Sequence, residues 1–531
     1  MTDADGDLAA RVRSVLDTDP EEFRRRAEAD AETVKAELRD GTFDNHQSII
    51  GLEYEFYAVS EGRWREGSDG DAAGDAHADE AIAADVNAPR LSRVPRRLLE
   101  LIGFEKELGL HNAEMTTSPQ PLNAAGVRAQ SAEVRARLEA AEETTGAEGM
   151  RLVSDAMWTV PPVGETAREY LADSVEDDGV RIATNMSDAV RYHAMANGPG
   201  AESFSIDAPH VDLTADTVMP ESLITSIQPH YQVASAEDIP RYHTLALRVA
   251  GPLLALGVNA PFFPADLYAA DATAEDVLAD GWHENRVAVF ESVLNEEGAE
   301  KVTFPEDLDS VEEAVDRVAA DPTIVPMPVG EGNRFDDAFA TLRRKHGTYW
   351  RWVRPVFEGA TRSAANARIE FRPIPAQPTV GDSIAFLAAF AGLMESLPRR
   401  RHPVYDLDWE TARDNFYAAV HDGIGADLSW VTTDGVETTD ADAIFDDLLS
   451  HAEAGLEDVG LSETEAKSYL EPLRWRAGTG VTPAAWKRSR VRDRLDDGAD
   501  LGDAIPAMQR AYVERQRETL FDGTFADWFD Q

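Results

Sequence analysis

The clearest hydrophobic–polar pattern in the chain is a strict alternation in the stretch Arg-Ile-Glu-Phe-Arg that begins at Arg368. Successive side chains of a β-strand point to opposite faces, so the pattern predicts Ile369 and Phe371 on one face and Arg368, Glu370 and Arg372 on the other. Adjacent charges on one face are unusual in a strand. Considered alone, they fit a solvated sheet edge. The sharper interpretation is a carboxylate that holds a metal ion between guanidinium groups that bind phosphate.

The same alternation occurs in the stretch Gly-Leu-Glu-Tyr-Glu-Phe that begins at Gly51. Glu53 and Glu55 are predicted on one face of this strand, with the apolar side chains on the other. Two adjacent carboxylates repel each other unless a hard cation lies between them. The alternative for this pair alone is an exposed polar face.

A third polar row is predicted over residues 107–119. Glu114 and Thr116 share a strand face there, and Glu107 lies one hairpin length earlier. Carboxylate oxygens are the ligands that hard divalent cations prefer.

A fourth row begins at Ser226 and continues through Gln228, His230 and Gln232, whose side chains project together. Considered alone, His230 is more typical of a hydrogen-bonded core histidine than of a metal ligand. Pro229 cannot donate a ladder hydrogen bond, so this strand is predicted to be an edge strand or locally bulged.

Four strands with one-sided polar rows predict the concave face of a single antiparallel sheet that lines a site. Oxygen ligands for divalent metal ions beside arginines suggest nucleotide-dependent phosphoryl transfer. The sequence contains no Gly-x4-Gly-Lys-Ser/Thr, no Gly-x-Gly-x-x-Gly after a predicted strand, no His-Glu-x-x-His and no Gly-x-Ser-x-Gly.

Helical periodicity surrounds these strands, and it predicts an α+β fold with a helical C-terminal region. Three parts are predicted: an N-terminal helical segment at 1–45, a catalytic domain at 46–405 with an acidic surface insertion at 61–89, and the helical region at 406–531. Residues 8–40 should be helical with a restart at Pro20. The C-terminal helices are predicted at 409–421, 440–457, 462–476, 483–496 and 504–521.

Composition limits the function classes. Asp and Glu number 99 against 50 Lys and Arg in 531 residues, a net charge of −49, and nearly every cation is arginine. We interpret this as adaptation to high intracellular salt, because at molar salt the Debye length falls to about 3 Å and the self-repulsion is screened. The charge argues against nucleic-acid binding, and the absence of cysteine excludes disulfides and thiolate chemistry.

The sequence also predicts a soluble, cytoplasmic protein. Met1 begins an acidic stretch without the apolar core of a signal peptide. The best membrane-spanning candidate, 245–263, is interrupted by Arg248, Gly251 and Pro252, so it is predicted to be a buried helix and its exit loop.

The order of the motifs resembles the glutamate–cysteine ligases of the plant and bacterial type and related carboxylate–amine ligases. The resemblance runs from about residue 48 to about residue 400. It rests on Gly51-Leu-Glu-Tyr-Glu-Phe, Glu107 with Glu114-Met-Thr-Thr-Ser-Pro, Ile224-Thr-Ser-Ile-Gln-Pro-His, Leu253-Leu-Ala-Leu-Gly-Val-Asn-Ala-Pro-Phe-Phe, His346-Gly-Thr with Val353-Arg354, and Arg368-Ile-Glu-Phe-Arg followed by Ala376-Gln-Pro-Thr.

The resemblance implies the glutamine-synthetase-like catalytic fold and a site for ATP and magnesium. The implied magnesium ligands are Glu53, Glu55, Glu107, Glu114, His230 and Glu370. The implied cofactor-binding positions, around ATP and its magnesium, are Arg368, Gln228, Thr348 and His346. The implied catalytic residues, which contact phosphates or glutamate, are Arg372 and Arg354.

The implied reaction joins the γ-carboxylate of glutamate, activated as an acyl phosphate, to an amine such as that of cysteine. The family's substrate loops are not recognisable in residues 270–328, which leaves the amine open. The alternatives are a catalytically inactive, ligand-binding descendant and a kinase that phosphorylates a guanidine. The sequence does not predict the oligomeric state or the role of the C-terminal helices.

Overall fold

The computed structural model describes residues 7–60, 88–198, 201, 203–295, 298, 300–330 and 332–529. Residues 61–87 of the predicted acidic insertion lie outside the described residues. The described chain combines one large antiparallel sheet with many helices, which confirms the predicted α+β class.

The α-helices begin with a break before Pro20, as predicted. They are α1 (Leu8–Leu16), α2 (Pro20–Arg39), α3 (Arg96–Leu101), α4 (Ala124–Gly146), α5 (Ala167–Ala172), α6 (Val190–Met195), α7 (Ile239–Gly257), α8 (Ala274–Asp280), α9 (Asn285–Leu294), α10 (Val311–Ala320), α11 (Ala340–His346), α12 (Val380–Arg400), α13 (Trp409–Asp422), α14 (Ala441–Asp458), α15 (Glu463–Thr479), α16 (Pro483–Asp496) and α17 (Leu501–Thr519). The helices α13 to α17 match the predicted C-terminal helices within three residues at each end.

The strands include every stretch in which a polar row was predicted. They are β1 (Ile49–Ser60), β2 (Arg90–Leu91), β3 (Phe104–Lys106), β4 (Asn112–Thr116), β5 (Gln120–Pro121), β6 (Met150–Val153), β7 (Ser174–Asp177), β8 (Val180–Ala183), β9 (Phe204–Ser205), β10 (Thr214–Ala215), β11 (Ile227–Gln232), β12 (Val353–Glu358), β13 (Asn366–Phe371), β14 (Trp430–Val431) and β15 (Glu437–Thr438).

The main sheet has the strand order β12-β13-β11-β1-β4-β3, and β2, β5 and β6 pair with further parts of β1. Neighbouring strands are antiparallel throughout. The long strand β1 therefore lies at the centre of the sheet, and the strands that carry the polar rows are its direct or next neighbours.

The alternation in the strands places apolar side chains on the back of the sheet. Leu52, Tyr54 and Phe56 are buried there, and the Tyr54 hydroxyl lies 2.6 Å from Ser154 Oγ and accepts a hydrogen bond from Ser383 Oγ of α12. The ring of Phe371 stacks on Phe390 of α12 with centroids 4.4 Å apart. The back face is thus the core, and the polar rows face away from it.

The expectation that Pro229 lies in an edge strand is wrong, whereas the expected local irregularity is present on the side of β13. The strand β11 lies between β1 and β13, and its pairing with β1 is regular around Pro229. Leu52, opposite Pro229, directs its backbone polar groups to Thr117 on its other side: the Leu52 amide donates to Thr117 Oγ1, and the Thr117 amide donates to the Leu52 carbonyl, both at 2.9 Å. The pairing of β11 with β13 stops at His230 and resumes at the bridge between Ser226 and Pro375, with one more residue on the β13 side than on the β11 side. No ladder bond needs the missing N–H, so the proline is accommodated inside the sheet.

The C-terminal helices pack on the elements behind the sheet. Helix α14 lies along α12, which contacts β11. Arg476 of α15 donates to Asp382 of α12 at 2.7 Å, and Lys487 of α16 donates to Asp155 beyond β6 at 2.5 Å; all four side chains are buried. Removing one partner of a buried ion pair leaves an uncompensated charge, so these pairs fix the C-terminal helices against the sheet.

Within the described ranges, α12 is the one helix that is long and apolar enough to cross a membrane by length and composition. Of its most apolar window, 94% is buried inside the protein, as expected for a core helix. The predicted candidate 245–263 forms the buried end of α7 and its exit loop.

Candidate active site

The predicted polar rows meet on the front of the sheet. Arg354 of β12, Glu370 of β13 and His230 of β11 are directly opposite one another in register on three successive strands. Glu53 of β1 is opposite Gln228 of β11 in the adjoining row. Side chains in register on neighbouring strands lie close together, so the sheet brings together residues that are far apart in sequence.

Glu370 is the most strongly bound carboxylate of this face. Arg354 donates to it in bidentate fashion, with Nε–Oε1 at 2.8 Å and Nη2–Oε2 at 3.1 Å, and Arg372 Nη1 donates to Oε1 at 2.8 Å. Burial opposes ionisation of Glu370, but the two guanidinium groups and His230 outweigh it and hold its pKa well below the ordinary value. Glu370 is therefore an anion over the whole physiological pH range.

His230, Glu53 and Glu370 form a group whose ligand atoms lie within 4.8 Å of one another. His230 Nε2 is 3.2 Å from Glu53 Oε1 but makes no hydrogen bond of normal geometry. Arg368 Nε donates to the other ring nitrogen, Nδ1, at 2.9 Å, which fixes the ring with its proton on Nε2. The two carboxylates fit a divalent cation such as Mg²⁺ or Mn²⁺, and His230 Nε2 can join them once the ring proton moves to Nδ1 and Arg368 releases it.

A second group of carboxylates occupies the other half of the face. Glu55 and Glu114 are opposite each other on β1 and β4, and Glu107 follows β3. Burial, followed by the charge of Glu107, raises the pKa of Glu55 to about 7. Burial and the surrounding carboxylates, Glu53 first, raise the pKa of Glu114 well above its ordinary value. Burial also raises the pKa of Glu107.

These acids have few compensating partners within the described part of the chain. Glu55 accepts from Gln228 Nε2 at 2.9 Å and from the Ser226 amide at 2.6 Å, and Glu107 accepts from the Leu108 amide at 2.9 Å. Carboxylates crowded at this cost in free energy are typical of a site whose charge is neutralised by bound cations.

Sequence reasoning missed two residues beside the acidic half. Glu221, in the short 3₁₀ turn before β11, has a pKa well above the ordinary value because of burial and the charges of Glu107 and Glu55. Arg191 of α6 donates to the Tyr192 hydroxyl at 2.8 Å and to the Gly347 carbonyl at 3.0 Å, and its charge lowers the pKa of Glu107. Neither lies on an alternating strand, so no pattern in the sequence marked them.

The remaining predicted residues, His346 and Thr348, have intramolecular partners. His346 Nε2 contacts the Pro355 carbonyl at 2.9 Å, and Thr348 Oγ1 donates to the Lys345 carbonyl at 3.0 Å. The backbone of this turn supports the site, because the carbonyls of His346 and Tyr349 both accept from Arg354 Nη1. Their assignment to substrate or nucleotide stays a prediction.

The face therefore presents two complementary halves. Crowded carboxylates suit hard divalent cations, and the guanidinium groups of Arg354, Arg368 and Arg372 suit phosphate or carboxylate groups. Such a face suits the class of enzymes that handle anionic groups beside divalent cations.

Comparison with known proteins narrows this class to one family. The sequence model of glutamate–cysteine ligase family 2 matches residues 49–518, which is most of the chain. The chain belongs to that family and is accordingly a carboxylate–amine ligase. No curated protein matches the chain significantly.

Solved structures similar to this chain include three ligases or synthetases at low identity. A glutamate–cysteine ligase from Francisella tularensis in complex with AMP is 12% identical, with a TM-score of 0.43 over 90% of this chain and 91% of that chain. A bifunctional glutathione synthetase from Pasteurella multocida is 12% identical, with a TM-score of 0.46 over 92% and 55%. The ligase PafA in complex with the prokaryotic ubiquitin-like protein Pup is 13% identical, with a TM-score of 0.36 over 87% and 71%.

Proposed function

We propose that this ligase uses ATP and magnesium to join the γ-carboxylate of glutamate to an amine, with cysteine as the first candidate. The observation that carries the proposal is Glu370, held between Arg354 and Arg372 and placed beside Glu53 and His230. This arrangement puts a cation site and two anion-binding arginines within one cluster.

Glu53, His230 and Glu370 would hold one magnesium ion, and Glu55, Glu107 and Glu114 would serve further cations. Bound magnesium supplies neutralisation of the charge that builds up on phosphate groups during transfer. The donor set fits this use, because burial raises the pKa of Glu55, Glu107 and Glu114 and neighbouring carboxylates raise it further.

Arg372 is placed to bind the group that is transferred. Its Nη1 donates to Gln228 Oε1 at 2.7 Å and to Glu370 Oε1, and its guanidinium lies 5.4 Å from the ring centroid of Phe290. Its Nε is buried and has no hydrogen-bond partner in the described structure. A buried donor without a partner costs free energy, and an anionic substrate oxygen would remove that cost.

The chemistry needs no nucleophile from the protein. Transfer of the ATP γ-phosphoryl group to the glutamate carboxylate gives an acyl phosphate and ADP. The amine then attacks the acyl carbon, and phosphate leaves. The role of the chain is to position the two anions, neutralise their charge and exclude water.

A proline that disrupted its strand would favour the inactive-descendant alternative, because Gln228 and His230 flank Pro229. Pro229 lies in β11, which is paired with strands on both sides, and Gln228 and His230 project from the front face. This supports a complete site over a degenerate one.

The test is a phosphate-release assay in molar KCl with magnesium and ATP, first with glutamate alone and then with a panel of amines that includes cysteine. We expect release that requires glutamate and one amine, with a product of matching mass. ADP formation on a guanidine without free phosphate would indicate the kinase instead. Nucleotide binding without turnover across the panel would indicate the inactive descendant.

A further inference from the structure

A second cluster of metal-ligating side chains lies behind the sheet, away from the ligase face. It consists of His402, just after α12, and Asp447 and His451, one turn apart on α14. Helix α12 separates the two clusters: its Glu395 accepts from Tyr231 on the back of the sheet, whereas the next residue, Ser396, contacts His451.

The ligand atoms of this cluster lie within 4.8 Å of one another. His402 Nε2 is 3.0 Å from Asp447 Oδ2. The exposed Thr433, in the loop between β14 and β15, places its hydroxyl 2.7 Å from both Asp447 Oδ1 and His451 Nε2. Tetrahedral zinc with bonds of about 2.0–2.1 Å needs ligand atoms about 3.3 Å apart, so only small side-chain movements separate this arrangement from a metal centre.

We propose that His402, Asp447 and His451 bind a first-row divalent metal ion such as Zn²⁺. Two imidazoles and one carboxylate are a donor set typical of such ions. Asp447 and His451 line a cavity of about 410 Å³, together with Asp434, Asp446 and Ser450, and His402 is buried behind them. The cavity provides a route of entry and room for a water molecule as a fourth ligand.

Two of the ligands are oriented by partners outside the ligand set. Asp447 accepts from Trp430 Nε1 at 2.8 Å and from the Thr433 amide at 3.1 Å. Ser396 Oγ, 2.8 Å from His451 Nδ1, orients the ring so that Nε2 faces the cluster, as an outer partner of a metal ligand does.

Binding requires two local changes. The Thr433 hydroxyl lies between the ligands and must rotate out. The Val404 amide donates to His402 Nδ1 at 3.1 Å, so the ring proton is on Nε2 and must move to Nδ1 before Nε2 can coordinate. The second change leaves the buried Val404 amide without its acceptor, a cost that the binding of the ion must exceed.

The bound ion would join two elements, the exit of α12 and α14. Since a ligand that binds only the folded state stabilises it, we expect zinc to raise the melting temperature and leave the ligase face unaffected.

The experiment uses the full chain, freed of metal and kept in molar KCl, with Glu53→Gln and Glu370→Gln to remove one cation group of the ligase face. Because Glu55, Glu107 and Glu114 remain, zinc at the second cluster is identified by its loss in the variants below. Zinc is titrated calorimetrically, and bound zinc is measured after dialysis. We expect one zinc ion per chain at this site. His451→Gln and Asp447→Asn should each weaken its binding at least tenfold, because loss of even an outer partner of a metal ligand costs about 10–100-fold.

Two further variants distinguish a metal site from a hydrogen-bonded network. Asp446 lies on the same helix as Asp447 and His451, but it is exposed and outside the ligand set. The substitution Asp446→Asn should therefore leave zinc affinity unchanged. Thr433→Ala removes the hydroxyl between the ligands, so zinc affinity should stay the same or increase. If these side chains formed only a hydrogen-bonded network, the same substitution would weaken that network. Zinc binding that is absent, or that His451→Gln and Asp447→Asn leave unchanged in chains with a native circular-dichroism spectrum, would overturn the proposal.

Discussion

At the scale of single residues, the site is divided between compensated and uncompensated charge. Glu370 has its charge balanced by Arg354 and Arg372. Glu55 and Glu114 face each other across β1 and β4 without a cationic partner in the described residues at hydrogen-bond distance. Like charges directly opposite on a sheet are destabilising, so the acidic half should respond to cations more strongly than the basic half.

This division predicts a pH-dependent effect of magnesium on stability. The pKa of Glu55 is about 7 in the folded chain, above its unfolded value of about 4.3. A raised folded pKa means that the native state loses stability as pH rises from the unfolded value through the folded one. Magnesium binds the ionised form, so it should raise the melting temperature more at about pH 8 than at about pH 5.5.

The measurement is a set of thermal unfolding curves in molar KCl, with and without magnesium chloride at both pH values. Glu55→Gln is the variant to compare, because it keeps the volume of the side chain but cannot ionise. This variant should reduce the pH dependence of the magnesium effect on the melting temperature. An equal magnesium effect at both pH values in the wild type would contradict the interpretation.

At the scale of elements, close helix contacts hold the C-terminal region on the core. Helices α12 and α14 touch where Gly392 faces Gly455, and a Cβ on Gly455 would overlap the carbonyl oxygen of Gly392. One turn from this contact, Ser396 meets His451. Because neither glycine has a side chain, the backbones of α12 and α14 approach closely at this point, and this contact fixes the distance between the two helices.

Gly455→Ala should therefore destabilise the protein by about 1–3 kcal/mol, because the methyl group forces the two backbones apart. The matched control is Gly478→Ala in α15, where nothing lies within 4 Å of the added Cβ. That change should be neutral or stabilising by up to about 1 kcal/mol, since alanine favours a helix. Chemical denaturation in molar KCl measures both. Equal stability of the two variants would argue against a backbone contact at Gly455.

The elements also show what the sequence could predict. The alternation in β1 and β13 identified the polar face, because its period of two is local and Glu53, Glu370 and Arg372 follow it. The strand order was not predictable from local patterns, which is why Pro229 suggested an edge. The sheet accommodates Pro229 because the pairing of β11 with β13 stops next to it, and strand pairing depends on residues that are distant in sequence.

The same reasoning explains the residues that were missed. Glu221 enters the site from a 3₁₀ turn and Arg191 from a short helix, and neither segment has a period that marks a face. Their proximity to Glu107 follows from tertiary packing alone. The second cluster was missed for a similar reason, since His402 and Asp447 belong to different elements.

At the scale of the whole molecule, charge should control stability. The net charge is −49, so acidic groups outnumber basic groups by about two to one over the chain. In dilute buffer these charges repel one another, whereas at molar salt the Debye length is about 3 Å and the repulsion is largely screened. Raising KCl from about 0.1 M to about 2 M should therefore raise the melting temperature. Sucrose at equal osmolality is the control, and a matching rise with sucrose would show that screening is not the cause.

Glu370 is the carboxylate on which the proposed ATP site depends most. Glu370→Gln keeps the size of the side chain but removes the anion between Arg354, Arg372 and the cation site. The matched control is Glu395→Gln, which removes an equally buried carboxylate, 3% exposed like Glu370, on the back of the same sheet. The control keeps an oxygen that can accept from Tyr231.

The most direct measurement is glutamate- and amine-dependent phosphate release by these two variants and the wild type, in molar KCl with magnesium and ATP. Glu370→Gln should lose turnover by at least about 100-fold while its melting curve stays cooperative, and Glu395→Gln should keep turnover near the wild-type rate. Wild-type turnover in a folded Glu370→Gln chain would remove Glu370 from the site and contradict the account.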